Sequence, residues 1–360
     1  MGPQSILVLV TLILSFAGLA YVQLRHPRTQ IRVTASVLSF AVAAVFGIAC
    51  VNRYYMYYTR WGDLWDDLTG KQVAALRLPP SPQPSGTIAV KGAPDMARKG
   101  LIATVSLAGP RSHIKRDALV YLPPEYFQPR YVSTRFPVLE LLHGSPGTPA
   151  DWIRILRIDS VFQRLLAKRR VRPFILVMPT INGAISLSPG SQCLDAEGEM
   201  DDTYLSADVP ALVSRDFRAY PIGRHWAVGG FSEGGFCAAN LALRHPTSYA
   251  AAAILSGYFH PLDNRGVRPF AHDPRLLAAN DPIDLAEHAT LTSELPTFFL
   301  LAGASDHADV TAAQQFQALL QTKTTIPLEK IANTRHSFAA WTNGIPDMLD
   351  FVSSAIAPIN

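Results

Sequence analysis

The sequence predicts an α/β fold, a mostly parallel doubly wound sheet preceded by two N-terminal transmembrane helices, on three observations. From residue 101 onward, apolar strand-like runs alternate with helix-like segments. One strand-to-helix junction reads Gly230-Phe231-Ser232-Glu233-Gly234, with apolar Trp226 to Val228 before it and helix-like Phe236 to Arg244 after it. Near the N-terminus, Met1 to Leu24 and Val33 to Asn52 contain no charged side chain.

Each of these two stretches is long enough to cross a hydrocarbon core of about 30 Å. A cleaved signal peptide is the alternative for the first, but Met1-Gly2-Pro3-Gln4-Ser5 lacks the basic n-region of such peptides. The connector holds Arg25, Arg28 and Arg32, and the flank after the second stretch holds Arg53 and Arg60. Positive-inside bias therefore puts the connector in the cytoplasm and both termini outside. Tyr54, Tyr55, Tyr57, Tyr58 and Trp61 stand where an outer aromatic belt belongs.

Charge follows the same division. Five of the 32 Lys and Arg lie in residues 1–60, which hold no Asp or Glu, leaving 27 basic against 28 acidic groups beyond them. The net charge of +4 is thus carried by the N-terminal part and implies no nucleic-acid face. The chain divides into a two-helix anchor (1–60), an interfacial segment with a Pro-rich spacer (61–86) and a catalytic domain (87–360). Trp61, Leu64, Trp65 and Leu68 recur at helical spacing, so Trp61 to Leu76 reads as an interfacial helix or, equally, as a short helix packed on the domain. Leu78 to Gly86 carries too many prolines for a helix and predicts a semi-rigid spacer of roughly 3 Å per residue.

Strands are expected at Leu101 to Leu107, Ala118 to Leu122, Val138 to Leu142, Phe174 to Met178, Ala250 to Leu255, Thr297 to Leu301 and Pro327 to Ile331. The polar stretch Ser186 to Asp202 reads as a loop over the pocket.

G-x-S-x-G between strand and helix fits a nucleophile elbow, the sharp turn that lifts a serine hydroxyl clear of the sheet in α/β-hydrolases. The other members of the machine follow in the order that fold uses, Ser, acid, His. Asp306 stands just past the end of one strand, with Asp309 its nearest competitor, and His336 follows another. Upstream, Val138 to Leu142 runs into His143-Gly144-Ser145-Pro146-Gly147. An oxyanion hole then takes one backbone N–H from Glu233 and a second from this loop. Ser145 is the expected second donor, since Pro146 has none, and Gly144 is the alternative. No metal or cofactor is called for.

The segments His143 to Trp152, Asp202 to Asp208, Gly229 to Pro246, Leu255 to Pro261 and Arg335 to Trp341 resemble the esterase family of α/β-hydrolases that includes esterase D, enterochelin esterases and mycolyltransferases. The similarity covers about Gly86 to Ser354. It implies an α/β-hydrolase fold and acyl transfer through a covalent intermediate on Ser232. The mycolyltransferases use Glu as the acid, whereas the fitting residue here is Asp306.

The expected activity is hydrolysis of a carboxylic ester in or near the cell envelope by a membrane-anchored enzyme with its catalytic domain outside. An envelope acyltransferase and a noncatalytic tethered scaffold are the alternatives. Trp152, Tyr204, Tyr258, Phe338 and Trp341 are candidates to line the substrate pocket, with packing as their competing role. Cys50 lies in the second span, leaving Cys193 and Cys237 as one permitted bridge or two separate thiols.

Overall fold

In the computed structural model, residues 2–69, 73–78, 93–181, 192–196, 198–262, 274–289 and 295–358 are described. They pack as two compact units, one of residues 1–72 with 337–339 and one of residues 73–336 with 340–360.

The first unit contains helices α1 (Ile6–Arg25), α2 (Thr29–Tyr55) and α3 (Trp61–Leu68). Both α1 and α2 are long and apolar enough to cross a membrane. They pack on each other, and α2 buries Ala35 and Ser39, small side chains one turn apart that permit close helix approach. α3 is shorter than the predicted segment, because Thr69 closes it with a hydroxyl bond to the Trp65 carbonyl at 2.7 Å. Leu76, expected at the end of that helix, instead begins an edge strand of the second unit, Leu76–Arg77. The predicted spacer lies, after Leu78, outside the described residues.

The second unit runs, in chain order, β1 (Leu76–Arg77), α4 (Ala93–Lys99), β2 (Leu101–Ala108), β3 (Lys115–Leu122), β4 (Val138–Leu142), α5 (Ala150–Arg154), α6 (Ile158–Ala167) and β5 (Ile175–Pro179). A small hairpin, β6 (Asp195–Ala196) with β7 (Glu199–Met200), leads to α7 (Asp201–Thr203) and, through one π turn, to α8 (Val209–Asp216). There follow β8 (Gly223–Phe231), α9 (Glu233–Arg244), β9 (Tyr249–Leu255), α10 (Pro274–Ala278), α11 (Pro282–His288), β10 (Thr297–Gly303), α12 (His307–Leu320), β11 (Leu328–Ile331) and α13 (Phe338–Ala355).

The main sheet has the order β1-β2-β3-β5-β4-β8-β9-β10-β11. β3 pairs antiparallel with both β2 and β5, and the strands from β5 to β11 are mutually parallel. Every predicted strand is present. The central ones read as continuous apolar runs because helices cover both faces, so β9 is buried along its whole length. β9 carries small alanines at 250–253, and α9, which itself buries Ala238, Ala239 and Ala242, packs on this strand. Parallel strands aim their carboxyl ends the same way, and that edge is where an open α/β sheet presents its ligand-binding loops.

One buried carboxyl breaks the apolar pattern. Glu140 stands mid-strand in β4, fully buried, with the Tyr249 hydroxyl donating to its Oε2 at 3.3 Å. Burial pushes its pKa up to about 8. The folded chain therefore keeps a proton that the unfolded chain releases above pH ~4.5, so stability falls as pH rises from there to about 8. Glu140→Gln keeps the acceptor and removes the ionisation. Its unfolding free energy is expected to lie close to wild type near pH 5 and exceed it near pH 8, by on the order of a few kcal/mol; stability-against-pH profiles of the two that stay superposed would refute this.

Candidate active site

Ser232 sits at the carboxyl end of β8 with φ 56° and ψ −120°, a conformation that L-residues rarely adopt. The surroundings hold it there. Its N–H donates to the Leu255 carbonyl of β9 at 2.9 Å, and its carbonyl accepts from the Gly235 and Phe236 N–H groups at 2.9 and 3.2 Å. The flanking glycines are dictated by crowding rather than by torsion. A Cβ on Gly230 would strike the Gly234 carbonyl, and one on Gly234 would strike the Leu142 carbonyl and come within 2.6 Å of that of His143.

Ser232 Oγ lies 2.9 Å from His336 Nε2. The opposite ring nitrogen, Nδ1, lies 2.9 Å from Asp309 Oδ2. With Nδ1 carrying the proton toward the carboxylate, Nε2 is left to accept from the hydroxyl. His336 arrives on the turn after β11, which folds tightly onto the end of β10. The Ser305 N–H donates to the Thr334 carbonyl at 2.8 Å, and a Cβ on Gly303 would come within 2.5 Å of the Arg335 carbonyl.

The carboxylate that meets the imidazole is a correction to the sequence reading. Asp306 does not meet the imidazole ring. It is the N-cap of α12, accepting from the Asp309 N–H at 3.2 Å, while its second oxygen accepts from the His336 backbone N–H at 3.3 Å. A cap must turn its carboxylate back toward the first-turn N–H groups, which takes it away from the imidazole ring. Three residues on, Asp309 carries the free-reaching carboxylate from the first helical turn, where the helix dipole favours negative charge. The D-x-x-D spacing directly before a helix is the signal that distinguishes the two roles.

The loop of residues 143–147 flanks the nucleophile as expected. A Cβ on Gly144 would lie 3.2 Å from Ser232 Cβ and 2.9 Å from the Phe231 ring. The peptide bond between Ser145 and Pro146 is cis. His143 is buried, with Nδ1 2.8 Å from the Gly144 carbonyl and Nε2 accepting from the Ile181 N–H at 3.2 Å. Burial lowers its pKa to about 4, so it is neutral and acts as a brace beneath the loop. Glu233 opens α9 with its side chain buried.

The aromatic candidates divide. Trp152 and Tyr204 expose no surface at all, which removes them from a substrate wall. Trp152 packs edge-on against Phe231 at 5.1 Å, and the Arg116 guanidinium lies 5.8 Å over the Tyr204 ring. Trp341 stacks on Phe231 at 4.7 Å and meets the His336 ring edge-to-face at 5.2 Å, so it supports the imidazole from behind. Tyr258 stacks on Phe236 and donates its hydroxyl to Gln192 Oε1 at 3.1 Å. Phe338 is the first residue of α13.

Cys193 and Cys237 are joined in a disulfide, linking the chain before β6 to the second turn of α9. Gln192 extends the clasp: its amide donates to the Leu262 carbonyl and accepts from the Leu262 N–H, both at 2.8 Å. Of the loop predicted from Ser186, residues 186–191 and 197 lie outside the described residues. Two other histidines pair with carboxylates, His245 with buried Asp202 at 2.7 Å and His260 with Asp281 at 2.7 Å.

Comparison with known proteins agrees with this architecture. The protein-family model described as "Putative esterase" matches residues 111–352. A curated Corynebacterium glutamicum protein, described as uncharacterized, is 30% identical over 251 residues. That match covers 66% of this chain and 57% of the relative, so the chain spans little more than half its length. Among solved structures, a ferulic acid esterase is similar with a TM-score of 0.62 at 21% identity, covering 72% of this chain and 99% of that one. An S-formylglutathione hydrolase from Agrobacterium tumefaciens gives 0.60 at 17% identity, covering 72% and 97%. A fluorophosphonate-binding serine hydrolase from Staphylococcus aureus gives 0.57 at 17% identity, covering 71% and 98%. At these identities the structures speak for the fold.

The crowding at the elbow has a direct consequence. The atoms that a Gly234→Ala methyl would meet are backbone carbonyls of β4, which cannot swing aside. We expect this variant to lose about 3 kcal/mol or more, whereas Gly62→Ala, with nothing within 4 Å of its added methyl, stays within about 0.5 kcal/mol of wild type. Thermal unfolding of the two side by side checks this.

Proposed function

Because this chain belongs to the esterase family matched by residues 111–352, we propose that it is a membrane-anchored serine esterase that cleaves a carboxylic ester in or near the cell envelope, with its catalytic domain outside. The observation that carries the reading is the continuous relay from Ser232 Oγ through His336 to Asp309, with both contacts at 2.9 Å.

In this mechanism His336 Nε2 takes the Ser232 proton as Oγ attacks the ester carbonyl, forming a tetrahedral oxyanion. Asp309 holds the imidazole by Nδ1 and stabilises the imidazolium as it forms. The backbone N–H of Glu233 and one from Gly144 or Ser145 serve the oxyanion, each worth on the order of 3 kcal/mol of barrier. Collapse breaks the bond to the alkoxy oxygen, and His336 returns the proton to the departing alcohol. Water, deprotonated by the same nitrogen, then attacks the acyl-serine; the acid departs and Ser232 recovers its proton.

Two features support the cellular placement. The Cys193–Cys237 disulfide belongs to an oxidising compartment. Arg25 at the end of α1, Arg28 in the link and Arg32 in the first turn of α2 favour keeping that end of the helix pair in the cytoplasm, which puts residues after α2 outside.

The test compares Ser232→Ala, Asp309→Asn and Asp306→Asn on a chromogenic short-chain ester and on a fluorophosphonate probe. Ser232→Ala is expected to abolish labelling and turnover. Asp309→Asn should lower kcat by about 10³- to 10⁴-fold. Asp306→Asn keeps a capping oxygen and should cost less than about tenfold in kcat, with no more than about 1 kcal/mol of stability. Undiminished labelling of Ser232→Ala would sink the assignment, and a large loss in Asp306→Asn with Asp309→Asn spared would return the acid to Asp306.

A further inference from the structure

Helix α3 is built the wrong way round for water. Around its axis Trp61, Leu64, Trp65 and Leu68 form one face, and Asp63, Asp66 and Asp67 form the opposite one. In an aqueous helix the acids face out. Here Trp61 is 52%, Trp65 66% and Leu68 72% exposed, while all three aspartates are half-buried. Two exposed indoles and a leucine side by side make an apolar patch of the sort that marks a membrane or protein contact.

The chain dictates what lies against it. Only Met56 to Arg60 separate the end of α2 from the start of α3, a reach of at most roughly 20 Å even when fully extended. That link is not extended. Asn52, in the last turn of α2, donates from its side-chain nitrogen to the Tyr58 carbonyl at 3.0 Å and accepts from the Tyr58 N–H at 2.6 Å. The Tyr58 hydroxyl then donates to Asp67 on the polar face of α3. The polar side of α3 is thus fastened to the level of the last turn of α2, beside exposed Tyr54 and Tyr55.

We infer that the Trp61–Leu64–Trp65–Leu68 face lies in the headgroup–acyl boundary of the same bilayer that α1 and α2 cross, making α3 an interfacial foot. The inference rests on the membrane-anchor reading above. Tryptophan favours this boundary because its ring is apolar and its N–H finds water or headgroups, and an amphipathic helix seats its apolar face about 5–10 Å into it.

The sequence provides its own reporter. Residues 1–60 contain no tryptophan, and the three tryptophans outside α3, Trp152, Trp226 and Trp341, are at most 3% exposed. The full chain is reconstituted into phosphatidylcholine vesicles carrying a spin-label quencher either near the headgroup end or near the tail end of the acyl chain. A Trp61→Phe/Trp65→Phe variant, which keeps the face apolar, is run in parallel. The expected result is loss of up to about two fifths of the emission, the share of two of the five tryptophans, stronger for the shallow label and absent in the double variant. Equal fractional quenching of wild type and variant by the lipid labels, in a chain that still floats with the vesicles, would overturn the foot and leave the anchor standing, as would quenching of Trp61 and Trp65 by aqueous iodide instead. A chain that does not float with the vesicles would overturn both.

Discussion

The close approach of α9 to the end of β8 is the constraint on which the site depends. Gly230 has no room for a methyl group because the Gly234 carbonyl stands against it, and Gly234 has none because the carbonyls of Leu142 and His143, at the end of β4, stand against it in turn. That contact forces the chain to reverse between strand and helix within one residue, and Ser232 takes the positive φ that the reversal demands. An isolated serine in that conformation would relax. Here hydrogen bonds from β9 and from the first turn of α9 hold it, so the hydroxyl stands at the sheet edge with its strain balanced by the fold.

Everything else at the site is delivered to that hydroxyl by strand ends. β4 brings the loop containing Gly144, β10 brings the helix that carries Asp309, and β11 brings His336. Because these strands are parallel and in register, their loops converge on one edge without any long-range search by flexible segments. The aromatic column of Trp152, Phe231 and Trp341 fills the space beneath. Its upper end meets the His336 ring, so imidazole orientation is fixed by packing as well as by its two polar contacts.

Much of this was legible in the sequence because it follows from local rules. Apolar runs locate the strands, and the glycine spacing around Ser232 reports a steric clash that only three dimensions make explicit. What escaped was relational. Asp306 and Asp309 are the same residue type three positions apart, and choosing between them requires knowing that α12 starts at His307, which makes Asp306 the cap. Trp152 and Tyr204 look like recognition residues in a motif, yet the fold buries both completely, Trp152 against Phe231 and Tyr204 beneath Arg116. Leu76 reads as the tail of an amphipathic helix, but the open edge of β2 recruits it as a strand. In each case a tertiary partner, absent from the local window, decided the outcome.

The histidines show how environment assigns chemistry to one residue type. His143 and His336 both stand at the carboxyl edge of the sheet, each with two ring contacts. His143 is sealed between a carbonyl and a backbone N–H, and desolvation keeps it neutral, which suits a brace that must not change state during turnover. His336 has a carboxylate on one nitrogen and a hydroxyl on the other, with about a quarter of its side chain open to solvent. In the proposed mechanism, charge developing on that ring has an anion to meet it and an exit for the proton. The division between bracing and proton transfer therefore lies in what each ring faces, and exchanging the two environments would exchange the roles even with both histidines in place.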